Sequence, residues 1–288
     1  MDRRFIEVSA YIVLLFLISQ LLGMYAGAFI IRDASENEVV SQIFVIQSQA
    51  IGGSMQGQNF SALAMFASVM AGAAIMYLLV RFYSGRLLFM LVEFGAVSVA
   101  SSIVFYSLTK PFLPDTLLSM AISIIGGLIF AGLKLAFPSL KNAAAVLATA
   151  GAGAAIGFQI SFETSLILLV LLSVYDYIAV FKTKHMVALA TSASKQEMPF
   201  MVSSRKKTEK GEIKVELGTG DMVMPIVLGV SGMQIGPVHA GIVFIASLLS
   251  VISLLFLLGQ KKQIIPALPI IAVFNLVFLG IAKLAGII

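Results

Sequence analysis

The chain has 288 residues, 59% of them hydrophobic and only 11% charged, with a mean hydropathy of +1.03 and a formal net charge of +5. A soluble domain is about one-quarter charged, so this composition excludes a water-soluble globular protein and predicts an all-α chain that crosses a membrane several times. The absence of cysteine excludes a disulfide framework and a thiolate nucleophile, and two histidines without an HExxH pattern leave a zinc protease site without its ligands.

Apolar runs long enough to cross a bilayer as helices recur along the whole chain. The first, 5–31, follows "MDRR" like a signal peptide. It continues well past the roughly 7–15 residues of a signal-peptide core, and so reads as a retained span. An outer loop over 32–59 carries "RDASENE" and the glycosylation-type tripeptide Asn59-Phe60-Ser61, which abuts the next span. Runs at 60–81, 87–107, 116–134 and 141–159 follow. Glu93, seven residues into the third, is better explained by a snorkelling basic partner or a wet cavity than by direct chemistry. The fifth is crowded with small residues, and Gly153 with Gly157 makes a GxxxG pattern that lets helices approach closely.

The sixth run, 163–183, contains one acid, Asp176, within "LLVLLSVYDYIAVF". A basic, Ser/Lys-rich segment over 184–217 is expected to be a flexible inner loop. Its last residues, "GEIKVEL", alternate Ile213, Val215 and Leu217 with Lys214 and Glu216, which is the period of a strand with one apolar face or else a solvated linker. Runs at 218–235, 239–259 and 266–286 complete nine spans, the seventh interrupted by Gly and Pro. Asn275 in the ninth is expected to hydrogen-bond a neighbouring helix, and His185 and His239 lie at interfaces.

With the N-terminus inside and the C-terminus outside, sixteen of the 19 Lys and Arg residues fall on inner segments and three (Arg32, Lys110 and Lys283) on outer ones. Basic residues concentrate in cytoplasmic loops, so topology accounts for the positive charge and no nucleic-acid partner is implied. The expectation is a multi-pass cell-membrane protein of nine transmembrane helices with a cytoplasmic N-terminus.

An ionisable side chain at the depth of Asp176 costs about 2.5–3.5 kcal/mol on insertion scales and usually faces the bundle interior. Asp221, in "LGTGDMVMP", opens the seventh run. Span six runs inward and span seven outward, and each acid lies seven or eight residues from a basic inner flank, Lys184 for Asp176 and Lys214 for Asp221. At ~1.5 Å per helical residue or ~3.3 Å per extended one, both fall in the inner part of the bilayer, where they can meet. Two adjacent carboxyls in a low dielectric share a proton and titrate as a unit. One can then act as base on a water while the other donates to a carbonyl oxygen, which suits peptide hydrolysis without metal or thiol. Gly218 and Gly220 leave room for another backbone beside Asp221, and Pro225 deprives the Asp221 carbonyl of its helical partner. An ordinary Pro/Gly kink gives the same pattern. Pro266 starts span nine from the inside, and Pro269 adds unpaired backbone at that depth.

Tyr175-Asp176, Gly218-Thr219-Gly220-Asp221 and Pro266-Ala267-Leu268, in this order on nine spans, resemble the YD, GxGD and PAL motifs of the presenilin and signal peptide peptidase family of intramembrane aspartyl proteases. The absence of cysteine, the short loops and the small size look most like an archaeal presenilin homologue. The N-inside orientation is presenilin-like, since signal peptide peptidases are inverted. Thr219 departs from the Leu common in animal members, which bears on substrate preference. The resemblance implies catalytic Asp176 and Asp221 and a substrate cleft shaped by Pro266, Ala267 and Leu268 together with Tyr175, Gly218 and Gly220. It further implies transmembrane-helix protein substrates drawn from the lipid bilayer, and no cofactor. On this reading residues 1–183 form a six-helix part with the YD motif, 184–217 the inner loop, and 218–288 a three-helix part with GxGD and PAL.

A substrate helix must unwind before hydrolysis, and unwound backbone in lipid needs hydrogen-bond partners. Residues 211–217, with Val215 at their centre, are therefore expected to pair with extended substrate as a strand edge. Two rival readings remain open. Gly229-Val230-Ser231-Gly232 with His239 resembles the GxSG of rhomboid serine proteases, and paired membrane acids also serve ion-coupled transporters or channels as proton or cation relays.

Overall fold

A computed structural model of the chain describes residues 3–38, 40, 42, 62–82, 86–183, 201–208, 211–261 and 265–288. Nine long helices lie within them: α1 (Arg3–Glu36), α2 (Ala62–Phe82), α3 (Arg86–Thr109), α4 (Thr116–Ala136), α5 (Lys141–Gln159), α6 (Phe162–Ile178), α7 (Thr219–Met233), α8 (Pro237–Lys261) and α9 (Ala267–Leu284). They match the nine apolar runs in order and nearly in extent. Six (α1, α3, α4, α6, α8 and α9) are long and apolar enough to cross a membrane. The Asn59-Phe60-Ser61 tripeptide and His185 lie outside the described residues.

Helix starts follow local chemistry. Asp115 accepts the Leu118 N–H to cap α4, and Ser161 accepts the Thr164 N–H to cap α6. One boundary differs from expectation. At 1.5 Å per residue the 34 residues of α1 extend about 50 Å, well beyond a hydrocarbon core of about 30 Å. The acidic stretch first read as loop from residue 32 continues the helix because buried Asp33 takes hydrogen bonds from the Tyr106 hydroxyl of α3 and from the Asn37 amide.

α7 is the centre of the bundle. From Met224 to Gly232 every residue is buried. Glycines let the neighbouring helices close on it: a Cβ at Gly153 of α5 would stand 2.7 Å from the Ile226 side chain, and one at Gly157 would stand 2.7 Å from the Val227 backbone carbonyl. Gly23 and Gly27 of α1 approach Ile226 and Val230 from another side. The GxxxG pattern thus serves packing, and protein rather than lipid covers the Gly- and Pro-interrupted helix. Because the obstacle at Gly157 is backbone, Gly157→Ala should destabilise the fold by about 1–3 kcal/mol, read as a lower unfolding midpoint of the purified protein in detergent; an unchanged midpoint contradicts this packing.

Polar groups inside the bundle pair with one another. Asn275 of α9 donates to Ser247 of α8 at 3.0 Å, as expected. Glu93 of α3 and Lys134 of α4, both buried, form an ion pair, which accounts for the intramembrane glutamate through a basic partner.

The strand expected over 211–217 is present, and the expectation of an all-α chain is corrected by it and a second strand; residues 184–200 and 209–210 of the expected flexible loop lie outside the described residues. Met201–Thr208 (β1) pairs antiparallel with Gly211–Gly218 (β2), with Val202 opposite Leu217 and Ser203 opposite Glu216. Val202, Val215 and Leu217 share one face of this hairpin and are buried in the main core, and their burial holds as strand what the composition alone reads as linker. Asn142 of α5 accepts the Ser203 N–H at 3.0 Å and donates to the Ser203 carbonyl at 2.8 Å. The N–H and C=O of a strand residue point to one side, and the sides alternate along the strand. Ser203 therefore faces away from β2, and by the same parity Lys214, opposite Arg205, and Gly218, opposite Met201, turn their backbone groups away from β1.

Candidate active site

Asp176 lies two residues before the end of α6, is 8% exposed, and is followed at once by a π-helical turn over Ala179–Thr183. Such turns inside helices recur at functional sites. Its carboxylate accepts the backbone N–H of Leu268. Ser173, one turn earlier on the same face, donates to the Leu268 carbonyl at 3.1 Å. α6 therefore holds both backbone groups of Leu268, the third residue of the Pro266-Ala267-Leu268 stretch. Pro266 caps α9 with extended backbone, and all three residues are buried.

Asp221 stands at the third position of α7, whose N-cap is Gly218. Its carboxylate accepts the Gly218 N–H, the reciprocal half of a capping box. That N–H faces the side of β2 remote from β1, so β2 delivers the chain into α7 with the carboxylate on its outer edge. A Cβ at Gly218 would sit 3.0 Å from Asp221 Oδ2, whereas one at Gly220 would meet nothing within 4 Å. A side chain at 218 would thus press on the Asp221 carboxylate, and Gly220 leaves open space beside it. The Asp176 and Asp221 carboxyls are close enough for their charges to act on each other. Sequential spans six and seven have brought the two acids together, and the PAL backbone meets the Asp176 side of the pair through Leu268.

Two further site residues from the sequence reading have partners other than the carboxyls. The Tyr175 ring packs edge-on against Phe66 of α2, with centroids 6.4 Å apart, rather than against either carboxyl. Val215 lies opposite Ser204, 6% exposed, and by the hairpin's parity its backbone faces β1. The outer edge carries Lys214, Glu216 and Gly218 instead. Two contributors were missed. Ser173 carried the signal of lying three residues before Asp176 on one helical face. Gln20, 1% exposed in α1, donates to the Met222 carbonyl at 2.9 Å and steadies the first turn of α7; nothing in its surroundings in sequence pointed there.

A family profile described as signal-peptide peptidase, presenilin aspartyl protease matches residues 15–286. The chain belongs to this family. It is an intramembrane aspartyl protease. Two solved structures described as a presenilin family intramembrane aspartate protease, in C222 and P2 space groups, share its fold with TM-scores of 0.62. Both are 22% identical over 93% of this chain, covering 94% and 96% of their own. No curated protein matches in sequence. The serine-protease reading finds no geometry in this protease. Ser231 is fully buried and bonds Ser165 Oγ at 2.7 Å and the Leu228 carbonyl at 3.1 Å, while His239 stacks edge-on with Phe162. Family membership also removes the transporter reading.

Proposed function

We propose that Asp176 and Asp221 are the catalytic pair and hydrolyse peptide bonds within or near transmembrane helices of membrane-protein substrates. The observation that carries this is the approach of the two carboxyls, one from the end of α6 and one from the start of α7, each anchored by a backbone N–H. The ionised member takes a proton from a water, whose oxygen attacks the scissile carbonyl carbon. The protonated member gives its proton to the carbonyl oxygen. Collapse of the tetrahedral species breaks the C–N bond: the departing amine takes up the proton first removed from water, and one hydroxyl of the new carboxyl group returns its proton to the second aspartate, which restores the pair.

The Lys/Arg distribution supports a cytoplasmic N-terminus, an outer C-terminus and residence in the cell membrane, with the acids in the inner half of the bilayer. The division into residues 1–183 with the YD motif, 184–217 as the inner connection and 218–288 with GxGD and PAL follows the same reading. Extended substrate adds to the outer edge of β2, which has no further strand beside it among the described residues. Gly218 turns its N–H to that edge and to Asp221, so a strand laid there leads its peptide bonds to the acids. Pro266, Ala267 and Leu268 bound the cleft from the α6 side.

The test is cleavage of a single-span membrane protein by the purified enzyme in liposomes, with wild type and Asp221→Asn compared by mass spectrometry of the products. Equal product from both would reject the assignment.

A further inference from the structure

We propose that Asn142 is a positioning residue that selects the edge on which substrate is accepted, an inference that rests on the strand-edge reading above. Asn142 is the second residue of α5, and its carboxamide meets Ser203 of β1 with both ends: Oδ1 accepts the N–H at 3.0 Å and Nδ2 donates to the carbonyl at 2.8 Å. Donor and acceptor side by side reproduce the hydrogen bonds that one residue of a neighbouring strand offers. The side chain therefore stands where a third strand would begin on β1.

A two-stranded hairpin has two edges, and an extended peptide can add to either. Asn142 closes the β1 edge at Ser203, opposite Glu216 and two residues from the end of the hairpin nearest Asp221. Addition to β2 then remains, and that is the edge whose parity turns the Gly218 N–H to the Asp221 carboxylate. The amide is also a fixed reference point. α5 is locked to α7 through Gly153 and Gly157, and to α3 through Gly151, where a Cβ would collide with the Ala100 carbonyl. Buried Val202 and Leu217 seat the hairpin beside it. Asn142 thus ties the register of β1, and through it β2, to the helix that carries Asp221.

A plain tether between helix and loop predicts something different. Its loss lowers stability and scales all cleavage down together, leaving the cut positions unchanged. Edge selection predicts a change in where the substrate is cut.

The experiment compares wild type, Asn142→Leu and Asn142→Asp in liposomes on one single-span substrate, measuring kcat and KM, the cut positions by mass spectrometry, and the unfolding midpoint in detergent. Asn142→Leu removes both hydrogen bonds, and the expected result is a drop in kcat/KM of about tenfold, carried mainly by KM, with cut positions spread over neighbouring bonds. Asn142→Asp keeps the acceptor and sets a carboxylate against the Ser203 carbonyl, and is expected to spread the cut positions in the same way. Unchanged cut positions in both variants overturn the inference, whether turnover holds or falls with the midpoint. So does loss of the folded protein in both, which makes the contact a structural tether. Lys214→Pro separates this from the reading beneath it. If that variant cleaves normally, the strand-edge reading itself fails; if it loses turnover while Asn142→Leu cuts as wild type does, only the role of Asn142 is lost.

Discussion

Asp176→Asn should reduce cleavage of a membrane-spanning substrate by about 10³-fold or more while the protein keeps its fold. Asparagine matches aspartate in shape, and its Oδ1 can still accept the Leu268 N–H that the carboxylate takes in the wild type. What it cannot do is gain and lose a proton. Asp221→Asn should behave alike, since the amide oxygen can continue to receive the Gly218 N–H at the start of α7. Alanine is the poorer choice at 221, because it also removes the capping interaction, worth about 1 kcal/mol, and confounds chemistry with helix stability.

The double substitution gives the sharper outcome. Base and acid act on one water and one carbonyl, so losing either disables the same step, and the Asp176→Asn/Asp221→Asn protein should be no slower than the single variants by more than about tenfold. The measurement is product formed per enzyme in liposomes, beside the unfolding midpoint of each variant. A single variant that retains a tenth of wild-type turnover with an unchanged midpoint would remove the dyad from the mechanism. Losses that multiply in the double variant would mean two independent roles instead of one shared proton.

Much of this site was legible because a membrane turns sequence position into depth. The apolar run around Asp176 and its basic inner flank put the acid at a definite level, and the same reasoning for Asp221 gave an antiparallel neighbour at a matching level. The glycines at 153 and 157 announced close packing in the same way. What stayed hidden depends on partners that no local pattern names. In β1 the buried face carries Val202 and then Ser204, so just one apolar residue marks it before the charged end of the strand and the period-2 signal is lost. Asn142 beside Lys141 reads as the polar start of a helix until Ser203 is found across from it. Gln20 is one amide in an apolar run, and its role exists only because α1 crosses the first turn of α7. Val215 shows the converse: the alternation identified the strand correctly, yet alternation tells which side chains share a face and not which backbone groups face a neighbour.

That distinction fixes where the strand-edge reading should be challenged. A proline at Val215 would break a bond to β1 and disturb a buried side chain, so lost activity there would say little about substrate. Lys214 is the informative position, because its N–H turns to the outer edge, where proline is tolerated in a strand. Lys214→Pro deletes one donor from the surface offered to an extended substrate and leaves the hairpin's own ladder intact. Lys214→Ala keeps the donor and controls for the loss of charge. Turnover of a single-span substrate by Lys214→Pro should fall about tenfold below that of Lys214→Ala, with both unfolding midpoints near wild type. The size follows from the setting: an unwound peptide in a water-poor site has few alternative partners, so a missing bond is not repaid by solvent. Turnover by the proline variant within roughly twofold of the alanine control would show that substrate reaches Asp176 and Asp221 without pairing to β2.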